Sequence, residues 1–284
     1  NGHGGIGLSH VEGYMAGSFG PCRLGKYALE QRKILQEIGF DLPIRTTVSN
    51  NAYSDMGLGK AFERLAWKGV VAVDYLLKLT RRSRPYEKEA GATDRLFDEY
   101  LKKVSDAIRT KHLSSDLLKE VAQRFAALID PDKPRKPLVG INGEIFLRSS
   151  DFSNCNLVRA CENAGLEVIV SSWAEWVNYI YDRTLDDAIK DRNFKKIASG
   201  YIRRLVQKQA EESVAKHFRA QLEMDEPSTE KLLSLSQEYL SPRCGSEALL
   251  SVGSGVEWME SDEFAGVISV MPHGCMPGGI VAAM

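Results

Sequence analysis

Closely paired cysteines are missing from this 284-residue sequence, which has five cysteines and no Cys-x-x-Cys pair. An odd number fits poorly with the fully paired disulfide framework of a secreted domain. We therefore expect a reduced, cytoplasmic compartment, in which free cysteines bind metal or carry out chemistry. Zinc sites usually take closely paired ligands, so the absence of such pairs also weakens a structural zinc site.

An excess of either charge is missing too. The chain has 37 Lys and Arg residues against 38 Asp and Glu residues, a net charge of −1. Dedicated nucleic-acid binders carry a clear basic excess, so we expect no nucleic-acid partner. With 43% hydrophobic and 26% charged residues, the composition is typical of neither a disordered nor a membrane-embedded chain.

Long hydrophobic runs are scarce. The only stretch of membrane-like composition, Gly266 to Met284, is interrupted by Pro272 and Pro277 and is barely long enough to span a bilayer. We expect no membrane partner. The sequence starts at Asn1 without an initiator Met or a signal-peptide core, and we interpret it as an internal piece of a longer soluble protein.

The length suggests two domains. A connector from Asp130 to Pro137 contains three prolines and lacks apolar periodicity, so it predicts domains 1–133 and 134–284. In the first domain, apolar spacing predicts one strand and four helices. The strand is Ile44 to Val48, and the helices are Leu29 to Ile38, Gly59 to Leu79, Thr93 to His112 and Ser115 to Ile129.

The second domain begins with a strand, a helix and a strand within about 35 residues, a spacing typical of a parallel βαβ unit. These are Leu138 to Asn142, Asn154 to Ala164 and Glu167 to Ser171. Ala248 to Val252 and Gly266 to Met271 add two apolar runs of strand length. We therefore expect an α/β fold of two Rossmann-like α/β halves with parallel sheets and added helices.

Two cysteines occupy turns bounded by glycine and proline, Ser18 to Tyr27 around Cys22 and Met271 to Gly279 around Cys275. Cys275 follows a predicted strand, and the carboxyl ends of strands are where open α/β sheets present ligands. Thiolates held on such loops are what an iron–sulfur cluster requires. Three alternatives stay open: small apolar residues in ordinary turns, zinc ligands, and a cysteine nucleophile beside His273.

Charged side chains follow the predicted strands. Glu144 and Arg148 come after the first strand of the βαβ unit, and Glu175 comes after the second. Such groups could bind or protonate a substrate, or equally form an interdomain salt bridge. The basic run from Arg81 to Arg84 predicts a solvated helix face, with docking of an acidic partner or a phosphorylated substrate as the alternative.

Four segments, in order, resemble those of one family. Gly20 to Tyr27 resembles the GPCR-x-G-x-Y segment of the large acyl-CoA dehydratase activase-related proteins. Arg84 to Glu87, Gly143 to Arg148 and Pro272 to Gly278 fit the same pattern, as does the pair Glu175 and Trp176. These proteins fuse an ATP-dependent activator to a part similar to 2-hydroxyacyl-CoA dehydratase subunits and are related to double-cubane cluster proteins.

The resemblance implies an iron–sulfur cluster, either a 4Fe–4S or a double-cubane cluster, with Cys22 and Cys275 as ligands. It also implies ATP-driven, low-potential electron transfer of anaerobic metabolism, an ATP-dependent activator as partner and an acyl-CoA substrate. In the dehydratases the electron makes a ketyl radical from a 2-hydroxyacyl thioester. Glu144 and Arg148 are then the candidate catalytic residues on the substrate side.

The sequence departs from the family pattern at one ligand. The family has a cysteine upstream of the first motif, whereas residues 1–21 contain none. A cluster is therefore expected to be incomplete or lost unless that cysteine precedes Asn1. The activator's nucleotide-binding motifs are absent as well, so we expect no ATP binding by this sequence itself. The alternative function is a non-catalytic scaffold or electron-relay module that docks the activator.

Overall fold

The computed structural model describes residues 11–17, 22–48, 59–222 and 226–284. The chain divides into two units, each built from two stretches of sequence. The first unit combines Asn1–Glu63 with Ile180–Gly200, and the second combines Arg64–Tyr179 with Tyr201–Met284. The proline-rich connector from Asp130 to Pro137 lies inside the second unit. The division into 1–133 and 134–284 stays a prediction.

The first unit contains a small parallel sheet. Strand β1 (Gly13–Gly17) pairs with β2 (Ile44–Val48) in parallel register, and helix α1 (Leu24–Glu37) connects them. Gly39, which follows the helix, has a φ of +87°, a conformation that glycine adopts without strain. The predicted strand is confirmed at both ends, and the predicted helix is confirmed with an earlier start.

The second unit begins with three long helices, α2 (Lys60–Ser83), α3 (Ala92–Arg109) and α4 (Ser115–Leu128). Helices α3 and α4 form where the apolar spacing predicts them, and Ser114 caps α4 by accepting a hydrogen bond from Leu117 N. The buried faces of all three helices share one core. Its largest fully buried members include Leu76, Leu79, Tyr100 and Phe125.

A three-stranded parallel sheet follows. Its strands are β3 (Leu138–Gly143), β4 (Glu167–Val170) and β5 (Phe264–Val270), in the order β4-β3-β5. Helices α5 (Ile145–Ser149) and α6 (Leu157–Asn163) lie between β3 and β4, so the predicted βαβ unit is confirmed.

The remaining helices are α7 (Trp173–Lys190), α8 (Phe194–Ala215), α9 (Thr229–Ser236), α10 (Ala248–Met259) and α11 (Met276–Ala282). The expectation of a strand over Ala248 to Val252 is wrong, because this run starts α10. Every residue from Ala248 to Ser254 is buried, so the helix is apolar on all sides there and shows no 3.6-residue period. By contrast, the strand expected over Gly266 to Met271 is confirmed as β5.

The fold class is confirmed as α/β, with two small parallel sheets and helices making up most of the structure. All three strands of the larger sheet run in the same direction, so their carboxyl ends meet at one edge. The loops after these ends carry most of the predicted site residues of the second unit. Within the described ranges, no helix is both long and apolar enough to cross a bilayer.

Candidate functional site

Cys22 lies at a strand-to-helix junction in the first unit. It follows β1 and comes directly before Arg23, the N-cap residue of α1, and its side chain is exposed. The carbonyl oxygen of Cys22 accepts a hydrogen bond from Gly25 N, which closes the first turn. Gly20 and Pro21, the start of the first motif, lie outside the described residues.

Cys275 lies at the corresponding junction in the second unit. It follows β5, is the N-cap residue of α11, and is partly exposed. The turn is built from its glycines: Gly274 has a φ of +71°, and a Cβ at Gly278 would lie 2.6 Å from Cβ of Met271. A side chain at Gly278 would therefore push the turn apart. The expectation that Cys275 lies beyond the carboxyl end of a strand is confirmed.

The other three cysteines lie outside the motifs. Cys161 is buried in the core of the three-stranded sheet. Cys155 precedes α6, is exposed and has a φ of +57°. The Sγ atom of Cys244 is 3.8 Å from Ser246 Oγ in a partly buried loop. None of the five forms a disulfide.

The donor set that these residues supply does not fill an iron–sulfur cluster. Cys22 and Cys275 belong to different units, and among the described residues no group of three or more His, Cys, Asp or Glu side chains is arranged to hold a metal ion. A cubane cluster held by protein alone takes four thiolates. Any cluster at these cysteines therefore needs further ligands from outside the described residues.

Glu144 begins the loop after β3 and caps the short helix α5. Its two carboxylate oxygens accept hydrogen bonds from Phe146 N at 3.1 Å and Leu147 N at 2.7 Å. Its own N–H donates to Val270 O of β5 at 2.9 Å, which fixes the loop against the neighbouring strand. The Glu144 side chain thus holds the loop in place at the carboxyl edge of the sheet.

Arg148 is buried and ties together the loops that follow β3 and β4. Its guanidinium donates to Gly143 O at 3.1 Å and to Ser172 O at 2.8 Å. It also lies 3.4 Å from Glu175 Oε1. The two residues that sequence placed at the ends of adjacent strands therefore form an ion pair, and this pair lies within one unit. Catalytic roles for Glu144 and Arg148 stay predictions.

Glu175 is the member of this set that faces open space. Its side chain is 10% exposed and lines a cavity of about 490 Å³. Burial raises the pKa of Glu175 to about 7, although Arg148 and a hydrogen bond from Ser171 Oγ lower it in part. A buried carboxyl that titrates near neutral pH can accept or donate a proton there.

A second carboxyl with a raised pKa, the half-buried Glu247, was not found from the sequence. It directly precedes α10, and burial together with the nearby Glu144 carboxylate raises its pKa to about 7. Glu144 and Glu247 are separated by 102 residues of sequence, so only folding brings them near each other. No local pattern around Glu247 signals this placement.

The basic run from Arg81 to Arg84 is not a solvated face, and that prediction is wrong. The side chains of Arg82 and Arg84 are each only 15% exposed. Arg84 donates to Asp94 at 3.0 Å and to Glu162 at 2.9 Å, while Arg82 pairs with Glu167. The run comes at the end of α2, where it meets the sheet and its crossover helix, so these cations hold the elements together.

The residues of the motif from Arg84 to Glu87 likewise have structural contacts. Tyr86 is buried and its hydroxyl donates to Glu167 Oε2 at 2.7 Å. Glu87 accepts hydrogen bonds from Gly91 N and Thr93 N before α3.

Comparisons with protein families, with curated proteins and with solved structures each return no match to this chain.

Proposed function

We propose that this chain is the iron–sulfur cluster-binding region of an ATP-activated, low-potential reductase or 2-hydroxyacyl-CoA dehydratase-like enzyme. One observation supports it above the others. Each of the two motif cysteines lies between a strand of a parallel sheet and the helix that follows it, with its thiol accessible to solvent. Such junctions are the sites at which α/β proteins hold cofactors.

The chemistry of the two junctions fits thiolate ligation. Cys22 lies one residue before the N-cap of α1, and Cys275 is the N-cap residue of α11, so both lie next to the first turn of a helix. In this proposal Cys22 and Cys275 are two ligands, and the remaining ligands come from outside the described residues. The cluster, when bound, would supply low-potential electrons. The proposed partner is an ATP-dependent activator, and the proposed substrate class is an acyl-CoA.

The residues of this chain would have separate tasks. Glu144 and Arg148 fix the two loops beside the Cys275 turn, since Glu144 N bonds to Val270 O at the end of β5. Glu175, held by Arg148 and Ser171, would hold a proton close to neutral pH. We assign Glu175, rather than Glu144, as the proton-holding group, because Glu144 uses both carboxylate oxygens to cap α5.

The test is anaerobic reconstitution of the full-length protein with iron and sulfide, followed by measurement of bound iron and the visible absorption spectrum. We expect wild type to bind iron and the double variant Cys22→Ala/Cys275→Ala to lose it. The matched control is Cys155→Ala/Cys244→Ala, which removes two other accessible thiols outside the motifs. A wild type that binds no iron, or a motif double variant that keeps it, would refute the proposal.

A further inference from the structure

The cavity lined by Glu175 lies along the free edge of the larger sheet. Five consecutive residues of the chain, Glu167 to Ser171, line it. Side chains of a strand alternate between the two faces of a sheet, so consecutive residues can share a cavity only at the strand's edge. Strand β4 is the edge strand, with β3 on its other side. At about 490 Å³ the cavity has the size of a small-molecule site.

The edge of β4 offers neutral hydrogen-bonding groups to this cavity. Glu167 N donates to Pro137 O and Ser171 N donates to Ile141 O, so these residues face β3. By the alternation of a parallel ladder, the peptide groups of Val168 and Val170 face the other way, toward the cavity. A ligand with a hydroxyl or carbonyl group can bind there.

Arg81 brings to the cavity a cation whose burial is only partly offset, by the charges of Asp74, Asp151 and Glu162. Other lining arginines have neighbours that accept their hydrogen bonds: Arg82 pairs with Glu167, and Arg219 with Glu212. Arg81 makes no hydrogen bond or ion pair with any residue of the described ranges. Burial lowers its pKa to about 10, and it is still charged at neutral pH. A guanidinium group has five N–H donors, and those of the half-buried Arg81 are available to a ligand.

The surroundings of Arg81 select the kind of anion. Among the described residues that line the cavity, seven are glutamates, including Glu175 and Glu226. Glu226 is paired with Lys78 at 2.6 Å, so this lysine is already compensated. Seven Lys and Arg residues line it as well, so the wall has no excess of cations to balance a multiply charged anion such as phosphate. A single carboxylate matches the planar fork of one guanidinium.

Part of the wall is apolar. Leu138, Val168, Val170, Leu222 and Trp258 line the cavity and provide a surface that a hydrocarbon body can cover. We propose that this cavity binds a small organic monocarboxylate with an apolar body, and that Arg81 holds its carboxylate. Neither Cys22 nor Cys275 lines the cavity, so this site is distinct from the proposed cluster site.

Isothermal titration calorimetry of the full-length protein, without added iron, tests this inference. The probes are hexanoate, its uncharged analogue hexanamide, and inorganic phosphate. We expect hexanoate to bind, hexanamide to bind at least about tenfold more weakly, a difference of about 1.4 kcal/mol, and phosphate to give no saturable heat. Absence of hexanoate binding, equal binding of hexanamide, or binding of phosphate alone would overturn the proposal.

Two variants locate the site. Arg81→Met should weaken hexanoate binding at least about tenfold. The control Arg64→Met removes an exposed arginine of the same helix that does not line the cavity, and it should bind hexanoate as wild type does. Arg81→Lys keeps the charge but loses the planar fork of donors, so its affinity for hexanoate should lie between those of Arg81→Met and wild type. This variant provides the test if Arg81→Met does not fold. Equal binding by wild type and both Arg81 variants would contradict the assignment.

Discussion

Two glycines of α10 should respond in opposite directions to the same substitution. Gly253 packs against the backbone of α9, where an added Cβ would lie 2.8 Å from the carbonyl carbon of Leu232 and 3.0 Å from its Cα. Gly255 is two residues further along, and the nearest atom to a Cβ there is Asn142 Nδ2 at 3.8 Å. The first site has no room for a methyl group and the second does.

The magnitude follows from these distances. Carbon atoms in contact are about 3.5–4.0 Å apart, so Gly253→Ala must separate the two helices by about 1 Å. Overpacking costs about 1–3 kcal/mol, and the upper end of this range applies here because the backbone of α9 cannot rotate away as a side chain can. Replacing a helical glycine by alanine returns about 1 kcal/mol. We therefore expect Gly253→Ala to destabilise by about 2 kcal/mol and Gly255→Ala to stabilise by up to about 1 kcal/mol.

Urea unfolding followed by tryptophan fluorescence measures both. All four tryptophans of the chain, at positions 67, 173, 176 and 258, belong to the second unit, so the signal reports the unit that contains α10. With an m-value of about 2 kcal/mol/M, the midpoint of Gly253→Ala should fall by about 1 M. If both variants shift the midpoint in the same direction, the close approach of α9 and α10 is not a feature of the folded protein.

Three further predictions concern buried polar groups. Because the pKa of Glu175 is raised to about 7, its contribution to stability is fully present below pH 4.5 and is lost as the pH rises through 7; Glu175→Gln should flatten the pH dependence of the free energy of unfolding in urea by up to about 3 kcal/mol, and an unchanged profile would contradict this. Tyr86→Phe leaves the buried Glu167 carboxylate without a hydroxyl donor at 2.7 Å and should cost about 1–3 kcal/mol in urea unfolding, whereas no loss would show that the bond is not formed. Glu144→Ala removes the cap of α5 and should cost about 1 kcal/mol in thermal unfolding, while Glu144→Gln, which keeps one acceptor oxygen, should cost less.

Elements with a clear period were predictable from the sequence. Helices α3 and α4 show apolar residues three and four apart, and β4 is a short apolar run after a glycine, so each was found within a few residues of its bounds. Strand β1 was missed because two of its five residues are glycines and none is β-branched. Its pairing with β2 is what makes it a strand.

Helix boundaries inside charged stretches were less predictable. Charged residues at amphipathic spacing continue from Leu185 to Leu222, but α7 ends at Lys190 and α8 begins at Phe194. Arg192, between them, has a φ of +52°, a conformation for which arginine gives no sequence signal. Tertiary packing therefore decides where this helix is interrupted.

The candidate site was predictable in part. Glu144, Arg148 and Glu175 follow parallel strands, and the shared edge of such strands predicts that they lie near one another, as Arg148 and Glu175 do. The contribution of α2 was missed, although a signal existed. Asp74, Lys78 and Arg81 recur at helical spacing within a largely apolar helix, and polar residues on a buried face usually have a specific task.

The arginines at the end of α2 provide a last test, because one forms hydrogen-bonded ion pairs and the other does not. Arg84 bonds to Asp94 and to the buried Glu162, so Arg84→Met leaves these carboxylates with Arg159 alone and should cost about 1–3 kcal/mol. Arg81 makes no hydrogen bond to a described residue, so Arg81→Met removes a half-buried charge that Asp74, Asp151 and Glu162 offset only in part, and it should raise the urea midpoint of the ligand-free protein. A residue that weakens the fold yet is needed for hexanoate binding would be kept for its ligand. If Arg81→Met instead destabilises as strongly as Arg84→Met, Arg81 is a structural residue and the carboxylate site loses its basis.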